Sequence, residues 1–371
     1  MDSDALRFFE ELSNSSGPSG FEKETLELLR RYATPYSDSV YGDKLGNLFF
    51  EKNGNKKGPC VLVPAHVDEI GFLVTAVNQA GYLNFTQLGG WFDQVLLGQR
   101  IQVMTKKGVV KGLIASKPPH VMDAEERKKV VAKDKMLIDI GASNKEEAEA
   151  MGVRIGDAVV PESSFRVLTK KAFKDGKEAG ERKIAFGKAF DNRASAFMGA
   201  ELLRRLSEER IMHPNRVVVA GTVQEEVGAR GAKTAANLVK PDVALVLDVG
   251  ISGDVPGIEP QQAPSKIGGG VEITVFDAMM IPNQPLKELA ISLAEENKIP
   301  YQLGHSTGGG TDGAYIHTAN IGCPTLNLGV PVRHIHSHIG VLDLGDVESG
   351  IRLTIELLKR LDKKTVESLT T

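Results

Sequence analysis

Three stretches of this 371-residue chain are almost uninterruptedly apolar and then stop on charge. Val61-Leu62-Val63 leads through Pro64-Ala65 to His66, with Asp68 and Glu69 close behind. Val217-Val218-Val219-Ala220 leads through Gly221 to Val223 and into Gln224-Glu225-Glu226, and Ala244-Leu245-Val246-Leu247 stops on Asp248. A strand with one wet face alternates apolar and polar residues, so runs like these require burial on both faces, as in a parallel sheet covered by helices. Open sheets of that kind put their ligands beyond the carboxyl ends of the strands, where these charges fall.

The rest of the chain fits such a sheet. Residues 4–34 read as two helices, the second beginning after Gly17-Pro18-Ser19-Gly20 with Phe21, Leu26, Leu29 and Ala33 on one face. Strands are expected near 46–52 and 60–66. From about residue 192 the pattern becomes βα alternation, with helices over 192–209, 229–238, 285–297, 314–318 and 345–361 between strands at 216–223, 243–248 and 271–275. The texture differs from about 75 to 167, where short β segments such as Gly81–Phe85, Gln99–Val103 and Gly108–Gly112 are separated by glycines and charged turns. The fold class is therefore α/β, a mostly parallel sheet with helices on both faces, carrying an inserted small β-rich domain. Residues 1–74 and 168–371 would form the main domain and 75–167 the insertion. The charged run Lys170–Lys183 reads as a solvated loop.

Composition narrows the partners. A formal charge of −3 spread along the chain offers no electrostatic footprint for nucleic acid or an anionic membrane. No apolar run approaches the roughly 18 residues that span a bilayer. The acidic, amphipathic start MDSDALRFFEELSN is unlike a signal peptide. Cys60 and Cys323 sit in apolar surroundings without a CxxC pair, which fits reduced, buried thiols in a cytoplasmic protein.

The candidate chemistry gathers at the strand ends. His66 and Asp68 are two apart, so on extended backbone the acid can take the imidazole N–H and orient the ring. Asp191, in Phe-Asp-Asn-Arg, lies at the start of a long helix, either as its cap or as a site residue. Glu225 and Glu226 repel one another unless a cation or a proton sits between them. Five of the eight histidines fall in the last 70 residues, and His334, His336 and His338 would share one side if extended, although not all three can be ligands. Two histidines and three carboxylates with an acid to spare are the parts of a two-metal hydrolytic site. Nitrogen and oxygen donors without thiolate suit zinc, cobalt or manganese. There is no GxSxG elbow and no phosphate-binding GxxxxGK[ST] loop, and Gly308-Gly309-Gly310-Thr311-Asp312 reads as a turn beside the site.

HVDEIGF (66–72), FDNR (190–193), VQEEVGARGA (223–232), the Asp248 strand end, GGGTDG (308–313) and the Arg333-x-x-His336-Ser337 segment resemble, in order, the TET-type aminopeptidases of metallopeptidase family forty-two, which includes glutamyl and deblocking aminopeptidases. The resemblance implies two divalent metal ions, zinc foremost. Asp191 would bridge them, His66 and Asp248 would complete one ion, and Glu226 and His336 the other. Asp68 would orient His66, and Glu225 would be the general base that deprotonates a metal-bridging water. It further implies a dimerisation role for the 75–167 insertion, assembly into a tetrahedral dodecamer, and short peptides as substrates, cleaved one N-terminal residue at a time. Two other readings compete. A glucanase would use Glu225 and Glu226 as its acid pair, but glycosidase carboxylates face each other across a bond at about 5 Å or more, which adjacent residues do poorly. A silent, metal-stabilised shell would be expected to use closed, Cys-rich sites.

Overall fold

The computed structural model describes residues 1–174 and 177–370. Its centre is an eight-stranded mixed sheet in the order Ser39–Gly42, Leu48–Asn53, Arg216–Thr222, Cys60–His66, Val243–Ile251, Thr325–Val332, Val271–Phe276, Tyr301–His305. Arg216–Thr222, Cys60–His66, Val243–Ile251 and Thr325–Val332 run parallel to one another. The first two strands pair antiparallel, and Val271–Phe276 runs antiparallel to Thr325–Val332.

The apolar runs divide their side chains between two cores, because successive residues on a strand point to opposite faces. Val61, Val63, Val217, Val219, Leu245 and Leu247 pack with helices Ser3–Asn14, Lys23–Ala33, Phe190–Glu208, Gln284–Glu296 and Leu344–Arg360. Leu62, Val218, Ala220, Ala244 and Val246 pack with Arg230–Val239 and the short Gly313–Ile316. Each Val and Leu among them is worth about 1.5–3 kcal/mol of burial, and a one-residue slip of these strands would exchange the side chains of the two cores.

Between Gly71 and Pro161 the chain closes a separate six-stranded barrel in the order Gly71–Val77, Leu83–Leu88, Leu137–Asp139, Gly108–Ala115, Arg100–Thr105, Ala158–Pro161. It has its own core, with Phe72 stacked on Trp91 at 4.7 Å.

Two expectations need correction. The run 170–183 is not a loop: Arg166–Lys174 and Lys177–Gly187 form an antiparallel hairpin, which continues into Gly340–Asp343. Residues 175–176 of that run lie outside the described residues. Charge marked solvation correctly but not conformation, since both faces of an exposed hairpin can be polar and leave no alternation to read. His334 and His336 both take left-handed backbone, φ 61 and 53, so the 333–338 segment is not extended and its histidines do not share one side.

Candidate metal centre

Strand Cys60–His66 delivers His66 to the sheet end, and a tight array of bonds fixes the turn beyond it. Asp68, 0% exposed, accepts the Ser19 hydroxyl at 2.6 Å and the backbone N–H groups of Glu225 and Glu226 at 3.0 and 3.1 Å. The acid expected to orient His66 therefore also ties the Cys60–His66 end to the acidic turn after Arg216–Thr222. Glu69, third of the charges after this strand, is not part of the cavity chemistry. It is a buried ion-pair partner of Lys188 at 2.9 Å. Arg193, fully buried, donates to the carbonyls of Val67 and Leu12, both at 2.7 Å, and locks the start of its helix against the same turn.

Asp191 and Asn192 depart from helical backbone, and no side chain caps this helix, so the capping alternative for Asp191 does not hold. Its carboxylate instead lies between two imidazoles: Oδ1 is 3.1 Å from His66 Nε2, and Oδ2 is 3.4 Å from His336 Nε2. His66 Nε2 also lies 3.8 Å from Glu225 and 3.9 Å from Asp248, while His336 Nε2 is 3.5 Å from Glu226. Two groups of potential ligand atoms result, His66/Asp191/Asp248 and Asp191/Glu226/His336, each with all its atoms within 4.8 Å of one another. Asp191 is common to both. Among the described residues these are the only such groupings.

The second nitrogen of each ring decides what this arrangement can hold. His66 Nδ1 faces the Asp68 carbonyl at 3.2 Å and its carboxylate at 3.5 Å, both acceptors. His336 Nδ1 faces the Gly90 carbonyl at 2.8 Å. Each Nδ1 must therefore carry the proton, and each neutral ring aims the Nε2 lone pair at carboxylates. Lone pair against anion is repulsive unless a cation stands between them, and Glu226 Oε1 is buried without any partner. These residues fit a pair of divalent cations. Without them a proton takes the same place. Burial works against charge on either ring, yet Asp191 and Asp68 hold the His66 imidazolium well above its usual range, and Asp191 raises His336 to about 9. Burial and the neighbouring charges push Glu226 and Asp248 each to about 8, and burial lifts Glu225 well above the ordinary carboxyl range. Asp191 is buried too, but its hydrogen bonds to the two histidines bring it below that range.

The cluster opens into a cavity of about 490 Å³. His66, Asp191, Glu225, Glu226, Asp248 and His336 line it and Asp68 lies behind them, so all seven residues singled out from the sequence converge. Three contributors were not singled out. Asp312, in the loop expected beside the site, accepts the Thr222 hydroxyl and adds negative charge near Glu225. The Gly90 carbonyl, from the barrel segment, holds His336. Gly89 beside it has φ 78, and a Cβ there would lie 2.5 Å from Ile70 and 3.1 Å from Glu226. The pair Gly89-Gly90 was the available sequence signal, since consecutive glycines before Trp91 mark a close backbone approach.

Comparison with known proteins agrees in kind. The family model described as M42 glutamyl aminopeptidase matches residues 46–353. A putative aminopeptidase, FrvX, of Escherichia coli K12 is 36% identical over 364 residues, 98% of this chain and 97% of that protein. The crystal structure of a TET aminopeptidase from the marine sediment archaeon Thaumarchaeota archaeon SCGC AB-539-E09 superposes with a TM-score of 0.94 at 50% identity, covering 99% of both chains. Pyrococcus horikoshii TET1, solved as a dodecamer, superposes with a TM-score of 0.83 at 31% identity, covering 97% of this chain and 100% of that one.

Proposed function

The chain belongs to the M42 glutamyl aminopeptidase family, and from that premise we propose that this peptidase is a dinuclear metal-dependent aminopeptidase removing single N-terminal residues from short peptides. The observation that carries the reading is the pair of imidazoles, each locked to present Nε2 to a carboxylate that both share, Asp191. His66, Asp191 and Asp248 would hold one ion, and Asp191, Glu226 and His336 the other, with zinc ahead of cobalt or manganese for a nitrogen and oxygen donor set. Bound there, the ions would supply positive charge to polarise the scissile carbonyl and to acidify the attacking water.

The chain's own groups do the rest. Asp68 holds the His66 ring by Nδ1 and, through two backbone N–H groups, sets the directions of Glu225 and Glu226. Glu225 belongs to neither ligand grouping yet borders the cavity, and burial raises its proton affinity. It is the general base, taking a proton from the attacking water and returning it to the leaving amine.

The segment 75–167, which holds most of the barrel, is read as the dimerisation domain inserted into a catalytic domain of 1–74 and 168–371. Val109, Leu113, Val121 and Ile155 are exposed in this segment, apolar surface that a partner would cover. Assembly into a tetrahedral dodecamer of dimers would enclose the sites and admit only short peptides. No helix among the described residues is long and apolar enough to cross a membrane, which accords with the cytoplasmic location we assign.

The test is a panel of aminoacyl anilides and their N-acetylated counterparts, assayed with metal-loaded and chelator-treated protein while bound metal is counted. Two ions per subunit, activity lost on chelation with the fold retained, and no cleavage of acetylated substrates are expected. Unfolding on chelation without activity at any metal loading would favour the metal-stabilised shell. Hydrolysis of carboxymethylcellulose with no aminoacyl activity would favour the glucanase.

A further inference from the structure

We propose, resting on the aminopeptidase reading above, that Glu272 makes the cavity a lysine and arginine pocket: its carboxylate pairs with the cationic head of the N-terminal residue being removed.

The cavity runs beyond the metal-ligand cluster along one face of the sheet. Gly329 pairs in register with Asp248 on one side and Glu272 on the other, so the three residues form one row across adjacent strands. Residues in such a row point to the same face, and two strand spacings place Asp248 and Glu272 about 10 Å apart. The residue between them has no side chain. Glycines recur wherever Glu272 leans: a Cβ at Gly250 or Gly304 would collide with its carboxyl group. The side chain thus lies in a trough of three glycines and points along the cavity floor, and the bare Gly329 between it and Asp248 leaves room for the four-carbon stem of a lysine.

Glu272 is 5% exposed and, among the described residues, has no cationic partner. Its neighbours are neutral: the Thr274 hydroxyl, 3.5 Å away, and Ser265. Among the described residues no lysine or arginine lines the cavity. Unpaired, the buried carboxyl has its pKa raised to about 7 by loss of solvation, so a cation arriving there meets a group with everything to gain from ionising. A second signal stands beside it. Asn327 donates its amide to Thr274 at 2.9 Å and is left with Oδ1 buried, unpartnered and bordering the same cavity. An acceptor without a donor next to an acid without a base fits an ammonium or guanidinium, which brings several N–H donors and one positive charge. Met279 borders the cavity and can pack along an aliphatic stem.

The experiment compares metal-loaded wild type with Glu272→Gln on lysyl, arginyl and norleucyl anilides. Norleucine keeps the lysine stem and lacks only the ammonium. The inference expects wild type to prefer lysyl and arginyl over norleucyl substrates. Glu272→Gln should lose on the order of 10²-fold in kcat/KM on both cationic substrates, mainly through KM, while norleucyl turnover stays within about twofold and certifies an intact site. A norleucyl substrate preferred by wild type, or a lysyl preference that survives in Glu272→Gln, would overturn the inference and leave the aminopeptidase reading standing. Failure of every free-amine anilide with both proteins would overturn that reading, and this inference with it. Glu272→Ala provides the second variant: it should resemble Glu272→Gln on lysyl substrate, and full lysyl activity in either variant refutes the pairing.

Discussion

An acid held without a partner should weaken the fold that holds it, and Glu272 permits that cost to be worked out. Its carboxyl titrates near 4.5 in an unfolded chain and at about 7 in the folded protein, because burial disfavours the charged form. Below pH 4.5 it is protonated in both states and costs nothing. Between 4.5 and about 7 the unfolded chain ionises first, so stability is lost as pH rises, and above about 7 the loss is complete. At 1.36 kcal/mol for each pKa unit the full loss is about 3 kcal/mol. An unfolding entropy of about 2.1 cal/mol/K per residue over 371 residues converts this to about 4 °C in Tm. Glu272→Gln keeps the volume and removes the titration. The assay is thermal unfolding of metal-loaded wild type and variant, side by side at pH 5 and pH 8, so that other titrating groups cancel in the difference. The variant should melt within about 1 °C of wild type at pH 5 and about 4 °C above it at pH 8. A gap that is equal at both pH values, or a wild type that is the more stable at pH 8, would refute the reasoning.

The metal centre and the barrel lead to four further outcomes. Asp191→Ala should reduce bound metal at both positions, whereas Asp248→Ala or His336→Ala should weaken mainly one; elemental analysis after dialysis decides, and a full complement in Asp191→Ala sinks the shared role. Glu225→Gln should retain both ions and lose on the order of 10²-fold or more in kcat, while Glu226→Gln should lose one ion and recover partly with excess metal; rescue of the first and not the second would reverse their roles. Gly89→Ala introduces a methyl group 3.1 Å from Glu226 at a φ of 78, so it should lower activity and metal retention together, with wild-type metal content counting against the contact. Replacing 75–167 with a short linker should leave a smaller assembly in size-exclusion with light scattering, and an unchanged one would refute the dimerisation role.

What sequence alone determined about this protein comes from periodicity and from charge where periodicity forbids it. The runs ending at His66, Glu225-Glu226 and Asp248 could be read as buried parallel strands because they are short, rich in β-branched valine and uninterrupted by polar residues. Acids at such ends are costly enough to mark a site. Asp191 and His336 joined the set through the family resemblance of their motifs, and the same cavity receives them. Tertiary structure decided what depends on residues far apart in the chain. His336 and not His334 or His338 reaches Asp191 because the backbone turns left-handed at His334 and His336 and the Gly90 carbonyl, 246 residues earlier, holds the ring. The hairpin of 166–187 was hidden because its exposed faces carry no alternation. Glu272 was hidden because one acid in an apolar strand looks like any other. Only cross-strand register puts it in a row with Asp248, leaves a glycine between them, and turns an expensive buried charge into the floor of a cavity.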